Sequence, residues 1–480
     1  MILLFDDDVF VARADLSYVR SNKRVDTSVG VRPSYSVLYN LLNGRVVVRR
    51  IGLVTGLEVE YLALTSAVAA SRTEYLATLK PADKYKLVGV ADPVAEKRHV
   101  IKEMWDLPDE MCFESWEEML SRPKMADVLV LATSDDLHYA PAMKAISLGY
   151  NILLEKPVAQ TAQECADIAN AATEKGVSVI VCHVLRYAPF FKKVKSLIES
   201  GVLGEIVSID LAEAIRSIHF SHSFVRGNWH SEKDSTPLIL AKTCHDLDMI
   251  QWLIGKRCKK VASFGSLTQF TEKNAPEGTP HRCIDGNCPI ASTCPYNCEK
   301  LYIKGVEKTP WKDLFKQQVA THPNFTDEEL REALKRTDYG LCVYHANNDM
   351  VDHQVVSMEY EDGVTAHLTV NAFNSGGRHI RVYGTKGEFY SFASAKKINV
   401  FTYEDWKDHE YPVEEADESI MGGHGGGDFN IVYDLYDHLT GNYKGSSVAD
   451  IRVSVANHLI GFAAEESRHT GTVVELEEIY

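Results

Sequence analysis

Between residues 85 and 185 short, unbroken apolar runs alternate with longer segments of helical spacing. The runs fall at 87–91, 128–132, 152–154 and 177–181. None shows the in–out alternation of a half-wet strand, so each reads as a strand buried on both faces of a parallel sheet. Segment 161–175 places Cys165, Ile168, Ala169 and Ala172 on one helical face, and Gly176 follows as a stop signal. Strand and helix in alternation predict a doubly wound sheet, which binds its ligands at the carboxyl ends of the strands.

Beyond about residue 200 the texture changes. Val364, Ala366, Leu368 and Val370 alternate with Thr365, His367 and Thr369, and Gly363 and Gly384–Gly387 supply turns. That pattern predicts an α+β domain on an open, predominantly antiparallel sheet with one wet face. A last helical segment, about 449–468, is expected to pack back on the body. The chain divides by this reading into an extension of unassigned structure at 1–45, a Rossmann-type α/β domain at 46–185 and the α+β domain at 186–480. The second domain carries a cysteine-rich insert at about 275–345.

Composition mostly narrows the field. The chain of 480 residues is too long for one ordinary core. Sixty-seven acidic against 51 basic side chains give a net charge of -16, which disfavours nucleic acid and anionic membranes as partners. No apolar run reaches membrane-spanning length. The opening MILLFDDDVF sets three aspartates where a signal peptide needs basic residues. A cytoplasmic protein without structural disulfides is expected.

The strand at 85–91 ends in Asp92, where a carboxylate can accept both hydroxyls of an adenosine ribose and repel the additional phosphate of NADP. NAD is favoured on that ground. The glycine-rich turn that should precede this strand, where backbone approaches a pyrophosphate, is missing: Ala69–Thr73 stands there instead, and Gly52 and Gly56 lie about ten residues too far upstream.

Downstream, Ala132-Thr133-Ser134-Asp135-Asp136-Leu137-His138 follows one strand and Glu155-Lys156-Pro157 the next. Further on comes Lys242-Thr243-Cys244-His245-Asp246-Leu247-Asp248, running into Trp252-Leu253. Together with Arg186-Tyr187-Ala188-Pro189, these segments resemble the Gfo/Idh/MocA family of NAD(P)-dependent oxidoreductases over roughly residues 85 to 470. The resemblance implies that Thr133, His138 and Glu155–Lys156–Pro157 line the cofactor, and that Lys156 and His245 carry the acid–base chemistry. The family often has an aspartate four residues before this histidine. Here the position is Ala241, so Lys242 or Asp246 is expected to take over part of that role, with Arg186 as a further substrate contact. His424 and Asp428, in a glycine-rich stretch, are candidates to reach substrate hydroxyls.

The implied activity is oxidation or reduction of a secondary alcohol on a sugar or polyol by a homo-oligomer, dimer or tetramer. Two alternatives stand beside it: an NAD-dependent glycosidase that oxidises its sugar transiently, and a non-catalytic sugar or dinucleotide-binding regulator with a degenerate glycine loop. Cys283, Cys288, Cys294 and Cys298 fall within sixteen residues. Close cysteines in a reducing compartment suggest a structural zinc, although their spacing lacks paired Cys-x-x-Cys knuckles.

Overall fold

The computed structural model describes residues 85–306, 312–320, 325–414 and 427–477, together with the backbone of four earlier strands. Three of these, β1 (Val11–Ala12), β2 (Ser34–Asn40) and β3 (Arg45–Ile51), pair antiparallel in the order β1-β3-β2. Residues 1–45, left unassigned by their pattern, thus include β1 and β2.

A six-stranded parallel sheet comes next: β4 (Val59–Thr65), β5 (Tyr85–Ala91), β6 (Cys112–Phe113), β7 (Val128–Ala132), β8 (Asn151–Leu154) and β9 (Val179–Val181). Its order is β6-β5-β4-β7-β8-β9, every neighbouring pair parallel. Strand order reverses between β4 and β7, the crevice where doubly wound sheets take their ligands. All five residues of β7 are buried, as the unbroken apolar run predicts. The helix Ala162–Lys175 opens on a capping box between Thr161 and Glu164 and ends at Gly176 in the left-handed region (φ 70°). It buries Cys165, Ile168, Ala169 and Ala172, the face read from spacing.

The second sheet contains β10 (Ile206–Ala214), β11 (Cys258–Ser266), β12 (His353–Tyr360), β13 (Thr365–Asn371), β14 (Gly377–Gly384), β15 (Gly387–Phe392), β16 (Lys397–Thr402), β17 (Lys407–Pro412) and β18 (Val474–Glu475). The order is β17-β16-β15-β14-β10-β13-β12-β11-β18, antiparallel except at β10–β13. Ala366, Leu368 and Val370 of β13 point into the core, the face expected from alternation. The connection from β11 to β12 is the cysteine-rich insert, which forms a small core of its own from Cys298, Tyr302, Phe315, Val319, Leu330 and Leu334.

The helix Ile451–Thr470 joins the two halves. Ile451 and Val455 pack in the core under the parallel sheet, whereas Ile460, Ala463 and Ala464 belong to the core of the second domain. Just before it, Ala449 accepts the Val181 N–H at 2.9 Å and Asp450 bridges Ile180, so the open edge of β9 is covered.

Candidate active site

The carboxyl ends of β5, β7, β8 and β9 deliver Asp92, Thr133, Lys156 and His183 to one side of the parallel sheet. Asp92 is fully buried and accepts the Val94 N–H at 2.8 Å, so its carboxylate also stiffens the turn into the next helix. The Thr133 hydroxyl donates to the Leu137 carbonyl at 2.8 Å. His138, with no exposed surface, lies with Nδ1 2.6 Å from Pro157 O and Nε2 3.2 Å from Thr133 O. Its ring thereby fixes the spacing between the loop after β7 and the loop after β8.

Glu155 folds back to accept the Lys156 N–H at 3.1 Å, and the Lys156–Pro157 peptide is cis. From there the Lys156 side chain crosses to the second domain, where Nζ donates to Ala241 O at 2.8 Å. Ala241 ends the short helix Leu238–Ala241, and three residues on begins Cys244–Ile254, the helix bearing His245. The sequence separation of the Glu-Lys-Pro triplet and this helix is therefore closed by a direct hydrogen bond. The same junction is tied by Asp135, whose carboxylate accepts from Trp229 Nε1 at 3.4 Å and from the Thr236 hydroxyl at 3.3 Å.

His245 is buried, its ring 6.1 Å from that of His183, which in turn lies 6.0 Å from His458. His458 is a neutral imidazole by its partners: Nε2 accepts the Val158 N–H at 3.0 Å, which leaves Nδ1 to donate to Ser454 O at 2.7 Å. Burial drives its pKa down to about 3. His183 has no hydrogen-bond partner on either ring nitrogen, and burial pulls it down to about 4 against the opposing pull of Asp248.

Two residues expected to face substrate are instead committed within the protein. Arg186 forms a bidentate pair with Asp248 (2.8 and 2.6 Å), and Asn457 donates to the same carboxylate at 2.5 Å. Asp246 has no exposed surface, and Arg378 grips both its oxygens at 2.8 and 3.2 Å. Its pKa is raised by burial, with Arg378 pulling the other way. Arg378 also reaches Glu213, its cross-strand neighbour, at 2.9 Å, and Glu213 in turn pairs with Lys242 at 3.6 Å. Burial lowers the Lys242 pKa while Glu213 raises it. Lys242 keeps some exposure (17 %) beside Lys156. Glu213, Arg378, His183 and His458 went unread in the sequence. They sit alone in strands, loops and helices, and only pairing across elements gives them meaning.

His424 lies outside the described residues, as does the side chain of Asp428. Gly427 is described: a Cβ there would stand 2.1 Å from Val184 O, so the helix Gly427–Leu439 starts against backbone that only glycine can approach. Of the four clustered cysteines, Cys283, Cys288 and Cys294 line one cavity, but Cys298 does not; Cys342 lines it instead.

Comparison with known proteins agrees with this architecture. Residues 68–183 match the model of an oxidoreductase family with an NAD-binding Rossmann fold (Gfo/Idh/MocA), and residues 195–476 match its C-terminal alpha/beta domain. A protein of Bacillus subtilis (strain 168) assigned as an oxidoreductase, YteT, is 27% identical over 368 residues, 73% of this chain and 82% of the relative. Among solved structures, a levoglucosan dehydrogenase in complex with NADH and L-sorbose superimposes with a TM-score of 0.63 at 15% identity, over 88% of this chain and 100% of that one. The WlbA dehydrogenase of Bordetella pertussis, bound to NADH and UDP-GlcNAcA, gives 0.59 at 17% identity, over 89% and 100%.

Proposed function

Because the chain belongs to the Gfo/Idh/MocA oxidoreductase family, we propose that it moves a hydride between NAD(H) and a secondary alcohol of a sugar or polyol. The observation that carries this reading is the 2.8 Å hydrogen bond from Lys156 to Ala241 O, which unites the end of β8 with the turn leading into His245. A dehydrogenase needs a cation and a base at such a point, beside the crevice of the sheet.

The parallel sheet suits a dinucleotide: its order reverses between β4 and β7, and Asp92 stands at the end of β5. Asp92 would hold the adenosine ribose, and Thr133 and the Glu155–Pro157 turn the remainder. Bound NAD supplies the hydride acceptor. The residues after β4 lie outside the described ones, and the sequence from 66 to 84 contains no glycine.

His245 then accepts the hydroxyl proton, and the Lys156 ammonium steadies the oxygen as it becomes an alkoxide and then a carbonyl. Lys242, next to Lys156, contacts a neighbouring hydroxyl. A structural neighbour is a levoglucosan dehydrogenase in complex with NADH and levoglucosan, which supports the substrate class. Any zinc in the insert would be structural in this reading, and the protein is expected to be cytoplasmic and oligomeric. The test is NADH formation across a panel of aldoses, anhydrosugars and cyclitols. Steady NADH accumulation with at least one supports the dehydrogenase, and product release without net NADH replaces it by a transient oxidation cycle.

A further inference from the structure

The insert brings together cysteines that its sequence scatters. Arg282 and Leu341 form an antiparallel bridge, and the Cys342 N–H donates to His281 O at 2.9 Å. Cys342 is thereby clamped beside Cys283, across an intervening span that includes the helices Lys312–Ala320 and Asp327–Arg336. These two thiols and those of Cys288 and Cys294 line one cavity. None of the four is in a disulfide.

Cys298, the nearest rival in sequence, does not line this cavity, although its side chain is within hydrogen-bond reach of Cys283. It is fully buried, and its thiol donates to Tyr339 O at 3.3 Å. Its backbone N–H, however, points at the Cys283 sulfur at 3.2 Å, and Asn297 Nδ2 approaches the same sulfur at 3.7 Å. N–H groups aimed at a sulfur favour a metal-bound thiolate.

An independent sign of negative charge comes from Arg226, which lines the same cavity and is only 2 % exposed. Its Nε donates to Leu341 O at 2.7 Å and one terminal nitrogen to Tyr296 O at 2.9 Å. The other terminal nitrogen is buried without a hydrogen bond among the described residues, with Tyr302 a polar neighbour of the guanidinium. Among the described residues the groups that interact with this cation are thiols and a tyrosine, not carboxylates. A buried guanidinium without a counter-ion costs several kcal/mol. Four neutral thiols do not meet that cost. Four thiolates around a divalent centre carry a net charge of about −2 and do.

We propose that Cys283, Cys288, Cys294 and Cys342 bind a thiophilic metal centre, with Arg226 balancing its charge, and that this centre fastens the insert to the wall of the active-site domain. The centre is either a zinc ion or an iron–sulfur cluster, and the spacing of the sulfurs bears on which. Tetrahedral zinc with Zn–S bonds of about 2.3 Å sets its sulfurs about 3.8 Å apart. Among the described residues no three cysteine sulfurs lie within 4.8 Å of one another. Binding zinc therefore requires the loops to contract, and a cluster, which holds its four thiolates further apart than a single ion does, is the other centre these ligands suit.

The experiment is metal analysis of the full chain purified without oxygen, read as zinc, iron and acid-labile sulfide per chain. Stoichiometric iron with sulfide and visible absorption supports the cluster form, and one zinc per chain the contracted form. Cys342→Ser and Cys294→Ser should each lose most of the metal, and Cys298→Ser should keep it. A chain that holds neither zinc nor iron would overturn the proposal. So would Cys298→Ser losing as much metal as Cys342→Ser while both keep native circular dichroism. Should Cys342→Ser not fold, the metal content of the unaltered chain and of Cys298→Ser decides.

Discussion

Arg378, on β14, holds the carboxylate of Asp246, on the helix that carries His245, by two hydrogen bonds of 2.8 and 3.2 Å. The pair crosses from the antiparallel sheet to the candidate base's own helix, one residue from His245. Since Glu213 shares the same guanidinium at 2.9 Å, one cation restrains two buried carboxylates.

Removing that cation strands Asp246 and leaves Glu213 only Lys242. Breaking a buried pair from one side typically costs about 3–5 kcal/mol, so Arg378→Ala should lower unfolding stability by that order. Glu213→Gln with Arg378 intact should cost less, because the Arg378–Asp246 contact survives. Urea denaturation of the two variants checks the ranking, and equal losses would show that the pair with Asp246 contributes little.

Replacement of the reacting groups should separate chemistry from binding. Lys156→Ala and His245→Ala should each slow hydride transfer by about 10² to 10⁴-fold, the usual worth of a general acid or base, and shift NAD affinity only several-fold. The double variant should be less impaired than the product of the single losses, since the two serve one proton transfer. Single-turnover NADH formation and nucleotide titration give both readouts. Near-normal turnover in His245→Ala across pH would move the base elsewhere.

The buried histidines set an acid limit on stability. His183 titrates at about 4 in the folded chain against an ordinary value near 6.5. Between those values the unfolded chain takes up a proton that the folded chain refuses. The stabilisation is complete above about pH 6.5 and drains away as pH falls toward 4, by about 3 kcal/mol in all. His458, at about 3, acts in the same direction. The urea midpoint should therefore fall from pH 7 to pH 5, and His183→Asn should flatten that slope. An unchanged slope would contradict the assignment.

Asp92 makes two separable contributions. Asp92→Ala should narrow the preference for NAD over NADP, which rests on repulsion of the additional phosphate. It should also cost about 1 kcal/mol by deleting the acceptor for the Val94 N–H. Parallel titrations with both nucleotides decide the first point and thermal unfolding the second.

Much of this architecture was legible in the sequence because burial leaves a periodic trace. The unbroken run at 128–132 and the alternation at 364–370 came out as a buried parallel strand and a half-wet strand that is antiparallel to β12 but parallel to β10. β4 escaped notice: Val59–Thr65 mixes Glu60 and Thr65 with apolar residues, and no glycine turn marks its end. The site was legible where chemistry is contiguous, in Glu155–Lys156–Pro157 and around His245. It was illegible where it depends on contacts across the fold. Nothing along the chain tells that Asp246 belongs to Arg378, Arg186 to Asp248, or Cys342 to Cys283.

The helix Ile451–Thr470 imposes an order on synthesis. The parallel sheet has all its strands once residue 181 has been made, yet part of its core and the cover for β9 come from residues 449–455. While the intervening chain of more than 260 residues is translated, that sheet waits with one edge and one apolar face open. Unpaired edges and exposed apolar surface are what nascent chains aggregate through. Maturation of the first domain is thus governed by the arrival of a distant segment, and a ribosome stalled before that helix would release a chain whose first domain is assembled but unsealed.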